Sequence, residues 1–284
     1  MFERFSRSWG LIKASAGVLS KDKELLVFPL LSSIVTLIVA AAFILPMFGL
    51  GALDGLREDG SGRISPLLYA VAFLFYLVQY TVIFFFNSAL VGAAMIRLDG
   101  GDPTLRDGLR IASGKIVPII GYAAIAATVG MILRAIQERA GFVGRIVSGF
   151  LGVAWTVASF LVVPVLVSRD IGPIDAVKES ALLLKKTWGE NLIGQGGVGL
   201  VFGFIFVALT LAGVAAIVGA AFTGSAIVIG IAVAAVVIAL LVAALIQAAL
   251  SGIYSAALYR YASGEGAVDG FDTHALEHAF ATKK

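Results

Sequence analysis

The chain is predicted to be an all-α, polytopic membrane helix bundle. It should have six transmembrane helices and short cytoplasmic amphipathic helices, arranged as a threefold repeat of helix plus hairpin. Three observations carry that prediction. Of 284 residues, 60% are hydrophobic and 14% charged, with a mean hydropathy of +1.00, where a soluble domain has about 45–50% apolar and about 25% charged residues. The charges leave five long gaps, at 25–53, 64–96, 116–133, 146–168 and 191–259. The Lys and Arg between the gaps alternate between heavily and lightly basic segments.

A helix rises about 1.5 Å per residue, so roughly 20 apolar residues cross a hydrocarbon core of about 30 Å. The first four gaps are each about one crossing long. The fifth, 69 residues, fits two helices joined at Phe222-Thr223-Gly224-Ser225, the small polar cluster near its middle. Pro29, Pro46, Pro118 and Pro164 lie within or at the ends of spans and predict kinks or unwound ends. Six spans put both termini on one side. That side carries sixteen Lys and Arg and the other carries five, which predicts cytoplasmic termini. A cleaved signal peptide is not expected: the first apolar run starts only at Leu25 and runs for a full span. The net charge of +3 fits insertion topology and anionic headgroups at the cytoplasmic face, and not nucleic acid.

The two internal basic loops read alike. Arg97 and Arg169 each end a span, a turn rich in Gly, Pro and Asp follows, and nine residues on comes Arg106-Asp107-Gly108 or Lys178-Glu179-Ser180. Each triplet is expected to open an amphipathic helix with Leu105, Leu109 and Ile116, or Val177, Ala181, Leu184 and Trp188, on its apolar face. A looser copy occupies the N-terminus, with Phe5, Trp9, Ile12 and Ala16 at helical spacing. The repeats run about 1–98, 99–171 and 172–262, all entering from the same side, with 263–284 as a cytoplasmic tail. Trp9, Arg106, Lys178, Lys185, Lys186 and Trp188 are the expected interfacial anchors.

No Asp, Glu, Lys, Arg or His lies inside a predicted span. Such groups are costly at membrane depth and usually mark proton relays or ion pathways, so proton-driven transport is not expected. The polar groups available are amides and hydroxyls. Gln79 and Asn87 are eight apart on the second span, Gln247 and Ser251 four apart on the sixth, and Asn191 and Gln195 four apart where the fifth begins. Residues at these spacings share a helix face. They either bond between helices or line a path. Gly199 and Gly203, also four apart, predict close helix packing.

Enzyme chemistry finds little material. Cysteine is absent, which removes disulfides, thiolate metal sites and a cysteine nucleophile. The two histidines fall in His274-Ala-Leu-Glu277-His278, an inverted zincin spacing. A zincin needs a third ligand and a cleft, so exposed histidines on a polar tail are the expectation. No metal, no cofactor and no enzymatic activity are expected.

Several pieces together resemble a known family. They are Ser8-Trp9-Gly-Leu-Ile-Lys13, Lys23-Glu24-Leu-Leu-Val-Phe-Pro29, Phe85-Phe-Asn87-Ser-Ala-Leu90, and Pro164-Val-Leu-Val-Ser-Arg169-Asp-Ile-Gly-Pro173. The Lys178-Glu179-Ser180 helix ending at Trp188-Gly189 completes the set. Over nearly the whole chain they look like the DUF6159 family. The resemblance implies a bacterial inner-membrane protein and brings no substrate, cofactor or active residue. The functional expectation is a homo-oligomeric, channel-like or permeation protein. The alternatives are a membrane scaffold that organises lipid, or a transporter of lipid or hydrophobic solute with a groove between repeats.

Overall fold

The structure, a computed structural model, describes residues 13–49, 66–139, 141–188 and 197–264. The helices in chain order are α1 (residues 13–21), α2 (Val27–Gly49, entered through a 3-10 turn at Lys23–Leu26), α3 (Pro66–Leu98), α4 (Leu105–Gly114) and α5 (Ile116–Arg139). They continue with α6 (Gly141–Ala158), α7 (Val162–Ser168), α8 (Pro173–Trp188), α9 (Gly197–Ala221) and α10 (Ala226–Ser263). Among the described residues there is no strand. Six stretches are long and apolar enough to cross a membrane: α2, α3, α5, α6 with α7, α9 and α10. The protein is a multi-pass membrane protein. Short helices α1, α4 and α8 each precede a pair of spans, and with Arg97, Lys115, Arg169 and Arg260 they form what is here called the basic end.

Local chemistry sets the element boundaries. At α4, Thr104 and Asp107 form a capping box: the Asp107 N–H donates to Thr104 Oγ1 (3.2 Å) and the Thr104 N–H to Asp107 Oδ2 (3.1 Å). These bonds satisfy donors that a helix start leaves unpaired. They hold the Asp107 carboxyl below the usual carboxylate range. A carboxyl so depressed favours folding above its unfolded value and loses that effect as pH falls through the folded one. The α8 helix begins at Pro173, five residues before the Lys178 triplet that was expected to open it, because proline suits the first helical position, where its missing N–H costs nothing. The α9–α10 turn falls at 222–224 as expected, with Gly224 at φ +66°, a conformation glycine adopts without Cβ strain.

The fourth span is interrupted near Pro164, where a kink or unwound end was expected. It stops at Ala158 and restarts at Val162. Pro164 has no N–H, and its ring crowds the carbonyl of residue 160. The break is buttressed from α8, whose fully buried Ser180 accepts the Leu161 N–H on Oγ at 3.0 Å. Ser159 Oγ donates to the Trp155 carbonyl at 2.7 Å. Ser180→Ala strands the Leu161 N–H in a dry site, so it is expected to cost about 1–3 kcal/mol, read as a lowered thermal midpoint in detergent.

Helix α3 is the hub, packed against α2, α4, α5, α7 and α10. The core sits at the basic end, where Ala89–Leu98 of α3, Val162–Leu166 of α7 and Ala249–Ala262 of α10 meet α1, α4 and α8. At 33 and 38 residues, α3 and α10 run to about 50 and 57 Å, longer than the hydrocarbon layer, and their surplus length builds this core. Toward the far end the helices expose apolar side chains such as Leu37 (69%), Val214 and Ile231, a surface suited to lipid.

The short helices use their apolar faces on the bundle. Gly108 and Ala112 of α4, and Ala176, Ser180, Leu183 and Leu184 of α8, are buried, while Arg106, Lys178 and Lys185 face out. Trp9 and the side chains of Lys186 and Trp188 lie outside the described residues. Gly199 and Gly203 are placed otherwise than expected: no atom of the described chain lies within 4 Å of where a Cβ would stand on either. The close approach between α9 and α10 occurs instead at Gly213, against Val236 at 2.7 Å. Contacts of α9 are chiefly with α10, so the 199/203 face of α9 meets no other helix of the described chain.

Candidate functional site

Ion pairs tie the basic end together. Arg97 lies 3.4 Å from Asp102 and donates to the carbonyls of Gly101 (2.9 Å) and Lys21 (3.5 Å). Arg169 pairs with Glu179 at 3.0 Å, Arg260 pairs with Asp99, and Lys115 pairs with Asp170 at 3.2 Å. Each of the three arginines ends the second span of a hairpin. This frame holds α1, α3, α5, α7, α8 and α10 in register at one membrane surface.

About one half-membrane in from that frame lies a cavity of about 330 Å³. It is lined by Pro29 and Ser32 of α2, by Ile83, Phe86, Asn87 and Leu90 of α3, by Phe160 at the α6–α7 break, and by Ala248, Ser251, Gly252 and Ser255 of α10. Asn87 is ten residues from Arg97, and Ser32 and Ser251 are each nine from Lys23 and Arg260. At 1.5 Å per residue all three stand about 14–15 Å inside the basic end, near the middle of a 30 Å core. Ile83 and Ala248 are themselves exposed, so the cavity opens sideways past them.

The lining mixes polar and apolar groups. Ser255 Oγ donates to the Gly252 carbonyl at 2.9 Å. The Asn87 amide and the Ser32 and Ser251 hydroxyls have no hydrogen-bond partner among the described residues. An unmet polar group in hydrocarbon costs several kcal/mol, so three of them on three helices around one space favour a guest that supplies the missing bonds. Among the described residues no charged group lines the cavity, which suits an uncharged guest. Amide and hydroxyl together both donate and accept, which suits a hydroxyl, ester, or amide group. Irregular backbone at membrane depth is tolerated where protein buries it or where it lines a cavity, and the α6–α7 break meets the second condition through Phe160.

Of the amides and hydroxyls singled out by sequence, Asn87 and Ser251 meet in this cavity. Gln247 is half-buried one turn farther along α10 on the Ser251 face and does not line it. Gln79 is buried in the α2–α3 seam, where Nε2 donates to the Thr36 carbonyl at 3.2 Å. Asn191 and Gln195 lie outside the described residues, as does the His274–His278 motif. Ser32 and Ser255 were missed. Ser255 stands four residues beyond Ser251, which extends the Gln247–Ser251 spacing by one more turn. Ser32 had no such cue, since neighbouring Ser33 faces elsewhere and spends its hydroxyl on the Pro29 carbonyl at 2.8 Å. No group of three or more potential metal ligands occurs among the described residues.

No curated protein and no solved structure matches the chain. Residues 67–270 match the sequence profile of DUF6159, described as a family of unknown function. The match takes in α3 through α10 and leaves α1 and α2, with Pro29 and Ser32, outside it. It spans well over half of the chain, which therefore belongs to the DUF6159 family.

Proposed function

We propose that this is a non-enzymatic membrane protein that binds, and lets pass, an uncharged hydroxyl- or carbonyl-bearing group at the middle of the bilayer. The observation that carries the reading is the convergence of Ser32, Asn87 and Ser251, each without a hydrogen-bond partner among the described residues, on one cavity inside a single chain. A site within the protomer does not need the central pore of a ring, so the groove reading is favoured over the homo-oligomeric channel. The basic end faces the cytoplasm of a bacterium, with both termini on that side, because sixteen of 21 Lys and Arg lie there. Exposed Arg106, Lys178 and Lys185 contact anionic headgroups from that end.

Two sources offer the chemistry, a lipid and a small solute, and one preparation distinguishes them. Native mass spectrometry of the purified protein reports retained lipid. Light scattering of proteoliposomes under a glycerol gradient reports solute flux. A lipid held at one per chain supports the first source, and glycerol flux above that of empty liposomes supports the second. Neither lipid nor flux would overturn the reading and leave the scaffold role.

A further inference from the structure

The α2–α3 seam carries polar groups beyond the cavity. From Asn87, helix α3 turns outward through Ile83 to Gln79, four residues at a time, and α2 runs from Ser32 to Thr36 at the same spacing. These residues therefore follow one face of each helix. Gln79 is 8% exposed, and its Nε2 reaches the Thr36 carbonyl, yet Gln79 Oε1 and Thr36 Oγ1 are both buried with no partner. Leaving such atoms unmet costs about 1–3 kcal/mol each. A water between them removes the cost, since it donates to Oε1 and bonds the hydroxyl.

The far boundary of the hydrocarbon is marked one turn beyond Gln79. There the Tyr76 hydroxyl accepts from Arg134 Nη1 at 3.1 Å, and Arg134 pairs with Glu138 at 2.9 Å. Tyr76 and Arg97 are 21 residues apart, about 31 Å, which is the thickness of the core. Gln79 thus stands about 5 Å inside the far surface, and Asn87 stands at the midplane.

We propose that Thr36 and Gln79 form a second polar station, and that the α2–α3 seam is a hydrated track joining the mid-membrane cavity to the far surface. The track takes water and small uncharged hydroxyl-bearing solutes. This rests on the reading of the cavity as a binding site and adds its exit. Thr36 and Gln79 are the narrow point: the cavity is open, whereas the station is closed around its buried atoms.

Because the natural chain has no cysteine, single cysteines at seam positions report hydration cleanly. The probe is 2-hydroxyethyl methanethiosulfonate, uncharged and hydroxyl-bearing, applied to full-length protein in nanodiscs. It reacts with the thiolate, which forms only in a hydrated site. Ser32→Cys and Thr36→Cys, both close in size to the residues they replace, are expected to label at rates within about tenfold of each other. Both should label at least about tenfold faster than Leu37→Cys on the lipid-facing surface. If Thr36→Cys reacts no faster than Leu37→Cys while Ser32→Cys still labels, the track is overturned and the cavity stands. If Ser32→Cys also fails to label, the cavity reading falls with it.

Discussion

Asn87→Leu is expected to lower retention of the bound molecule, or glycerol flux, by at least about tenfold. Leucine keeps the branched heavy-atom skeleton of asparagine, though it is bulkier, and presents no donor or acceptor to the cavity. The Asn87 amide is the largest polar group on the lining and has no hydrogen-bond partner among the described residues, so it is free to bond a guest. A site built to bond a polar group loses about 1–3 kcal/mol per bond removed, which is about five- to 140-fold in affinity for one bond, and the amide can make more than one. The substitution relieves an unmet polar group in the empty protein, so the thermal midpoint should hold or rise while binding falls. That opposition separates a binding residue from a structural one. If Asn87 merely glued helices together, stability and binding would fall in step.

Gly108→Ala has the largest structural effect expected of any single methyl group. A Cβ at this position would stand 2.7 Å from the Ala89 carbonyl oxygen and closer still to the Phe28 ring. The Ala89 oxygen belongs to the backbone of α3 and cannot swing away, so α4 must lift from the hub helix. Overpacking of this kind costs about 1–3 kcal/mol, and it outweighs the gain of about 1 kcal/mol that alanine brings to a helix interior. The expected result is a thermal midpoint several degrees lower in detergent, with Gly114→Ala as a control. No atom lies within 4 Å of a Cβ at Gly114, and that variant should match the parent or exceed it. Equal midpoints for the two variants would mean that α4 does not pack on α3 as described.

The spans were legible in the sequence because charge at membrane depth is so costly that its absence is a positional signal. The gap at 64–96 and the helix Pro66–Leu98, or the Phe222–Ser225 cluster and the turn at 222–224, correspond to within a few residues. The start of α8 was less legible. Its amphipathic pattern begins to be regular near Lys178, whereas the helix is nucleated earlier by Pro173, an end effect that periodicity does not register. The break at Ser159–Leu161 was signalled by Pro164, but a proline at a span's end is equally compatible with a mild kink. What makes it a break is the bond from Leu161 to Ser180, nineteen residues away, and tertiary partners of that kind are not written in local spacing.

The site was half legible for the same reason. Spacing along one helix places Gln79 with Asn87, and Gln247 with Ser251, on common faces. It does not say which faces of different helices meet. The structure joins Asn87 to Ser251 through the α3–α10 contact and brings Ser32 to them through α2, while it turns Gln247 aside. The glycine pair shows the converse. Spacing at Gly199 and Gly203 matches a packing motif, but within the described chain the face they occupy has no helix to pack on, and Gly213 supplies the contact.

The central claim is that a molecule from outside the chain completes the hydrogen bonding of Ser32, Asn87 and Ser251. The most direct test is a density map of the protein in lipid nanodiscs, at a resolution that shows side chains, collected for the natural chain and for Asn87→Leu. The account predicts density within hydrogen-bond distance of the Asn87 amide and the Ser251 hydroxyl in the first map and its loss in the second. An empty cavity in both maps, with Asn87 bonded to a neighbouring helix, would contradict it.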